Sequence, residues 1–147
     1  PALTDQVELV SVPLTVGGKT CTVTCLSVGN PHCVVFDDRI DALDLETLGP
    51  QFEHAPIFPE RINTEFVRVV NRNMLKMRVY ERGNGETPAC GTGACAAVAA
   101  AVRLGLCAAE EDVTVKVRGG DLVVRVSAQG ITLTGETGLV FEGVVYA

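Results

Sequence analysis

Cys90 stands in the run Thr87-Pro88-Ala89-Cys90-Gly91-Thr92-Gly93-Ala94, at the mouth of an alanine-rich segment. Pro88 stiffens the approach, and Gly91 and Gly93 allow backbone angles or close approaches that side chains would block. Amide hydrogens at such a helix start favour negative charge, which lowers a thiol pKa from about 8.5 into the range of roughly 3.5 to 7.5. The same amides suit a ligand carboxylate. A reactive thiol is one reading of Cys90, and a buried cysteine in a glycine-rich turn that simply starts a helix is the other.

Three further groups could serve polar chemistry. In Ser27-Val28-Gly29-Asn30-Pro31-His32-Cys33, Asn30 offers an amide and His32 a titratable ring just before an apolar strand, although Asn-Pro is also ordinary turn punctuation. Glu81 and Arg82 follow the strand-like run MLKMRVY and project into a glycine-rich loop. As a solvated pair they would do little; as a site, an arginine fork recognises a carboxylate and a glutamate accepts an ammonium group, which together suit an amino acid. Asn63 in RINTEFV serves equally as a turn residue or as an amide donor.

The elements that must position these residues are mostly strands. TCTVTCLSV, HCVVF, EFVRVV, MLKMRVY, DVTVKV, LVVRVS, ITLTG and LVFEGVVY are short, rich in Val, Thr and Ile, and bounded by Gly, Pro, Asn or Asp. Gly119 and Gly120 between two such runs predict a tight hairpin whose turn needs positive φ, and the C-terminal third reads as an antiparallel meander. Asp41 to Leu48 predicts a short surface helix stopped by Gly49-Pro50. The second helix runs from about Gly93 to Leu104, and Arg103 is its single charge within Ala94 to Leu104. A helix apolar on every face must be surrounded by protein. The expected fold is therefore α+β: a mostly antiparallel, curled sheet wrapped barrel-like around one central buried helix that opens on the Cys90 loop, forming a single domain over residues 1–147.

Composition narrows the function. With a net charge of −6 the chain has no basic stripe for a nucleic acid, and no apolar run approaches the roughly 20 residues of a membrane-spanning helix. The N-terminus carries neither tag nor signal, so the expected location is the cytoplasm. Its start at Pro1 rather than Met suggests a processed chain or a piece of a longer one. Of the six cysteines, Cys21, Cys25, Cys33, Cys95 and Cys107 read as packing residues. Cys21 and Cys25 on one strand are about 13 Å apart, too far for a disulfide. A metal site from Cys21, Cys25, His32 and Cys33 is a minor alternative; no metal and no cofactor is the expectation.

ERGNGETPACGTGACAA and GNPHCVV resemble the two signatures of the C-terminal half of the diaminopimelate epimerase family, and RINTEF falls where that family has an asparagine-containing segment. Order and spacing agree, and the resemblance covers essentially the whole chain. It implies a racemase that works without pyridoxal phosphate and interconverts LL- and meso-diaminopimelate, on the route to lysine and peptidoglycan. One thiolate removes the α-proton while a thiol opposite delivers another. By resemblance Cys90 is the second of that pair and His32 and Glu81 support catalysis. Gly91 and Thr92 then hold the reacting carboxylate, and Asn30, Asn63, Glu81 and Arg82 bind the substrate's polar groups. Without a cofactor the carbanion must be stabilised by oriented dipoles, and one helix terminus gives only about 0.5 to 2 kcal/mol.

The family's N-terminal half carries its own Cys-Gly-Asn-Gly motif, which this sequence lacks. The chain is thus expected to be the C-terminal half of a two-domain, pseudo-symmetric enzyme. Alone it should not racemise efficiently, and its partner is the missing half or, across the bare cleft face, another copy. The alternatives are a proline racemase-like relative and a non-catalytic anion-binding or assembly module.

Overall fold

The computed structural model describes residues 8–147; the Pro1 start lies outside them. Nine strands form one sheet: β1 (Leu9–Val16), β2 (Lys19–Ser27), β3 (Pro31–Phe36), β4 (Asn63–Asn71), β5 (Met74–Glu81), β6 (Gly85–Thr87), β7 (Asp112–Val117), β8 (Gly120–Ser127) and β9 (Gly130–Gly135). Their order is β1-β2-β3-β4-β5-β7-β8-β9, and β6 pairs with the end of β5. Two helices interrupt them, α1 (Leu45–Glu53), preceded by a 3₁₀ turn at Ile40–Ala42, and α2 (Gly91–Arg103).

Neighbours are antiparallel except β3/β4 and β5/β7, the two pairs joined through a helix. Because β4 and β5 are antiparallel, the two crossovers start from strands of opposite direction and step the same way along the sheet. Right-handed connections then have to leave on opposite faces. The packing agrees. Val34, Val67, Met77 and Val79 lie with the alanines of α2, while Cys33, Val35 and Phe66 lie with Leu45 and Phe52 of α1. Strand alternation sorts each strand's side chains between these two cores.

The expected curled sheet around one helix is present. α2 touches β2, β3, β4, β5, β7, β8 and β9, and Ala94, Ala96, Ala97, Ala100 and Ala101 are fully buried. Small side chains allow this, since each alanine leaves room for a strand backbone. The sheet stays open, however, so a stripe of Cys95, Ala99 and Val102 on α2 is only half-buried.

Three local expectations change. α1 does not stop at Gly49-Pro50 but runs through both to Glu53, burying Leu45, Gly49, Phe52 and Glu53, so it is more than a surface helix. Gly49 packs against the ring of Tyr80, where a side chain has no room, and Phe52 meets Phe66 edge to face at 5.4 Å; tertiary packing thus outweighs the proline's local penalty. In the β7–β8 hairpin Gly120 takes φ +140° as expected, but Gly119 does not have a positive φ. Gly119 is small because its N–H donates to the Pro88 carbonyl at 2.8 Å and its α-carbon faces Pro88 and Ala89, which braces the loop before Cys90. Finally, LVFEGVVY forms no strand. Residues 136–147 lie outside regular structure, and among the described residues no strand edge pairs with them.

One buried cation ties the α1 connection to the sheet. Arg78 of β5 forms a fork onto Glu86 of β6 (Nε–Oε1 2.9 Å, Nη2–Oε2 3.1 Å) and donates from Nη1 to the carbonyls of Ile40 and Leu43 at 2.7 and 2.8 Å. Removing the guanidinium strips the Leu43 carbonyl of its side-chain donor, takes both Arg78 bonds from Glu86, which keeps only Arg118 Nη1 at 3.0 Å, and leaves the Ile40 carbonyl with Leu43 N–H alone at 3.3 Å. Arg78→Met is expected to lower the unfolding free energy by about 3 kcal/mol, measured by urea denaturation.

Candidate active site

Cys90 is the N-cap of α2, with extended backbone angles (φ −144°, ψ 112°). Its carbonyl accepts from Ala94 N–H at 2.9 Å and its sulfur accepts from Gly93 N–H at 3.3 Å, so the thiol occupies the capping position usually taken by a hydroxyl or carboxylate. The Thr92 hydroxyl lies 3.6 Å from the same sulfur. Gly93 has no alternative: a Cβ there would sit 2.8 Å from Glu65 Oε1 and 3.2 Å from the sulfur. At Gly91 a Cβ would come within 2.9 Å of Leu133 on β9.

The expectation of a lowered thiol pKa is not met. Cys90 is only 9% exposed, and burial pushes its thiol up, with the Glu81 carboxylate adding to the rise; hydrogen bonding by Thr92 and by Gly93 N–H works the other way without prevailing. Helix-terminus stabilisation is worth about 1 kcal/mol or less at most sites, and desolvation of a thiolate outweighs it.

His32 and Asn30 come together beside this helix start. β3 and β4 run parallel with His32 opposite Asn63, so alternation puts His32, Asn63 and Glu65 on the face that meets α2. The His32 ring is fully buried, with Nδ1 2.7 Å from Glu65 Oε1 and Nε2 3.0 Å from Asn30 Oδ1. Asn30 Nδ2 donates to Thr92 Oγ1 at 3.3 Å. A single line of contacts therefore joins Glu65, His32, Asn30, Thr92 and Cys90. Cys25 and Cys33 face each other across β2 and β3 on the opposite side of the sheet, so one-residue alternation separates them from His32. Among the described residues no group of three His, Cys, Asp or Glu is arranged to hold a metal ion.

Asn63, Glu81 and Arg82 come together at the adjoining ends of β4 and β5. Asn63 is buried and its amide spans two loops, donating from Nδ2 to the Pro31 carbonyl at 3.0 Å and accepting from Arg82 N–H at 2.9 Å. It links the Asn-Pro-His turn to the Glu81-Arg82 turn, and retains one N–H and one lone pair beyond these bonds. Glu81 closes β5 on the α2 face, in line with Leu75, Met77 and Val79, and its charge acts on both Cys90 and Glu65. Arg82 is exposed, with its guanidinium donating to the Glu60 carbonyl at 3.3 Å.

Two positioning groups were absent from the sequence reading. Glu53 at the end of α1 is buried and accepts from Gly83 N–H at 2.8 Å, which fixes the loop that follows Glu81 and Arg82. Glu65, also buried, underlies His32 and Gly93. Its signal was present in the two-residue spacing from Asn63 within Asn63-Thr64-Glu65, which puts an acid on the inward face of a strand.

Solved structures share this architecture. A phenazine biosynthesis protein of the PhzF family from Bacillus anthracis superposes with a TM-score of 0.53 at 23% identity, covering 76% of this chain and 37% of that one. A putative PhzC/PhzF protein from Clostridium difficile gives 0.51 at 21%, covering 68% and 35%. These likenesses define the fold. The profile of the family described as diaminopimelate epimerase matches residues 24–140. A diaminopimelate epimerase from a Cyanothece species is 53% identical over 140 residues, 94% of this chain and 49% of its own length. One from Thermosynechococcus vestitus is 52% identical over 97% of this chain and 51% of its own, and one from Acetivibrio thermocellus 47% over 99% and 52%. The chain belongs to the diaminopimelate epimerase family. It spans about half the length of the curated relatives it matches.

Because burial and Glu81 both raise the Cys90 pKa, alkylation of Cys90 by iodoacetamide, followed by peptide mass spectrometry, is expected to keep accelerating above pH 8.5, the ordinary thiol midpoint. Glu81→Gln removes the neighbouring negative charge and should move that midpoint down. Gly93→Ala, which forces a methyl against Glu65 and the sulfur, should cost about 1 to 3 kcal/mol in a thermal or urea unfolding experiment.

Proposed function

We propose that this chain supplies one half of a cofactor-independent diaminopimelate epimerase, with Cys90 as one of two thiols that exchange the α-proton between opposite faces of the substrate. The observation that carries the reading is the capping geometry of Cys90. Its sulfur sits where the first amides of α2 converge, held by Gly93 N–H, with the Glu81 carboxylate acting on it from β5.

The chemistry follows from that placement. A thiol above the ordinary range keeps its proton and is suited to deliver it; Glu81 is the group that takes the proton when Cys90 must act as base. The amides of Gly91 and Thr92 face the carboxylate whose charge grows as the α-carbon loses its proton, and a water-poor site strengthens those dipoles. Asn30 and Asn63 orient the substrate's polar groups, Arg82 and Glu81 match its distal carboxylate and ammonium, and His32 supports proton transfer beside the reacting centre. The enzyme works in the cytoplasm on the lysine and peptidoglycan route.

The partner in this reading is the half that the curated relatives possess in addition. Support comes from residues 136–147, where Leu139, Val140, Phe141, Val144, Val145 and Tyr146 are each at least 77% exposed. A β-prone apolar segment of that kind needs a covering surface. Half-buried Cys95, Ala99 and Val102 on α2 add to the uncovered area.

The test is α-proton exchange and stereoinversion with LL-diaminopimelate in deuterium oxide. The isolated chain should show neither. The chain fused behind the unmatched half of the Cyanothece relative should show both, and Cys90→Ala in that fusion should lose about 10² to 10⁴ in rate. Efficient inversion by the isolated chain, or full activity of the Cys90→Ala fusion, would overturn the proposal.

A further inference from the structure

The buried end of the contact line at Cys90 is Glu65, and its surroundings are unusual for a carboxylate. The side chain is wholly enclosed, Oε1 lies 2.7 Å from His32 Nδ1, and among the described residues Oε2 has no hydrogen-bond partner. An ionised carboxylate presents about four acceptor sites, and leaving half of them dry costs several kcal/mol. A protonated carboxyl group asks for far less: its hydroxyl needs one acceptor, and its carbonyl oxygen is no worse off than other neutral acceptors. The remaining groups facing Glu65 do not compensate a charge. Glu81 on β5 is itself acidic, the Gly93 N–H is given to the Cys90 sulfur, and the backbone amide of Glu65 itself is the weakest of the influences on its carboxyl. Burial pushes the Glu65 carboxyl up, with the bond to His32 only partly opposing it.

We infer that Glu65 is a positioning residue that remains uncharged and donates its proton to His32 Nδ1, fixing His32 with its hydrogen on Nε2. The consequence runs along the line. His32 Nε2–H donates to Asn30 Oδ1, Asn30 Nδ2–H donates to Thr92 Oγ1, and the Thr92 hydroxyl is left to donate to the Cys90 sulfur. Every donor is used once and every hydrogen points toward the thiol. One buried proton thereby sets the direction of four successive hydrogen bonds, and the sulfur accepts from both Thr92 and Gly93. The other arrangement, Glu65 ionised and Nδ1 protonated, leaves Oε2 as an unpaired charged oxygen.

The value of this for proton transfer rests on the epimerase reading, but its test does not, because it needs neither substrate nor the second half. The chain contains two histidines, and the other, His54, is exposed, so the imidazole signals separate readily. Long-range proton–nitrogen correlation spectra near neutral pH should show His32 with bare Nδ1 and protonated Nε2. Infrared difference spectra between the wild type and Glu65→Gln should show a carbonyl stretch of a dry, protonated carboxyl group that the variant lacks. Gln at this position can donate from its amide to Nδ1, so the variant should retain the His32 tautomer even as the carboxyl band disappears. Protonation of Nδ1 in the wild type, with or without Nε2, would overturn the inference, as would absence of the carboxyl band. The wild-type proton–nitrogen spectra decide the tautomer even if the variant fails to fold.

Discussion

At Gly93 the first turn of α2 sits directly against the Glu65 carboxyl group of β4 and the Cys90 sulfur, with no room for a side chain. Gly93 makes this approach possible, and the rest of the chain is arranged so that it happens in one place. β3 and β4 run side by side and put His32, Asn63 and Glu65 on the inner face; β5 ends with Glu81 on the same face; the β7–β8 hairpin presses Gly119 onto Pro88, just ahead of Cys90. Moving any of these by one residue would turn its side chain to the opposite face. The site is therefore a property of strand register as much as of the motif around Cys90.

Local conformation and global packing were unequally visible in the sequence. The strands announced themselves through Val, Ile and Thr between turn residues, and the Cys90 helix start through its glycines, because those signals depend on neighbours a few residues away. Gly49-Pro50 misled for the same reason. Its local message is a helix stop, whereas the packing of Gly49 on Tyr80 and of Phe52 on Phe66 carries the helix onward. LVFEGVVY has the composition of a strand, but a strand exists only with an edge to pair with.

The site divides along the same line. Asn30, His32 and Cys90 could be picked out as groups suited to chemistry, and the structure links them through Thr92. Glu53 was missed because an isolated acid in a sequence looks like surface charge, and Glu65 because its spacing from Asn63 gives its face but not its partner; tertiary structure shows that one fixes the Gly83 loop and the other underlies His32. The thiol pKa was misjudged through a similar gap. A helix start is legible in sequence, but the burial that opposes it depends on how seven strands close around the helix.

The uncovered segment Leu139–Tyr146 also bears on the life of the chain inside a cell. It presents six large apolar side chains on unprotected backbone, the kind of segment that chaperones hold, proteases cut and other unpaired strands join. A chain in which that segment stays uncovered should be removed by quality control rather than stored.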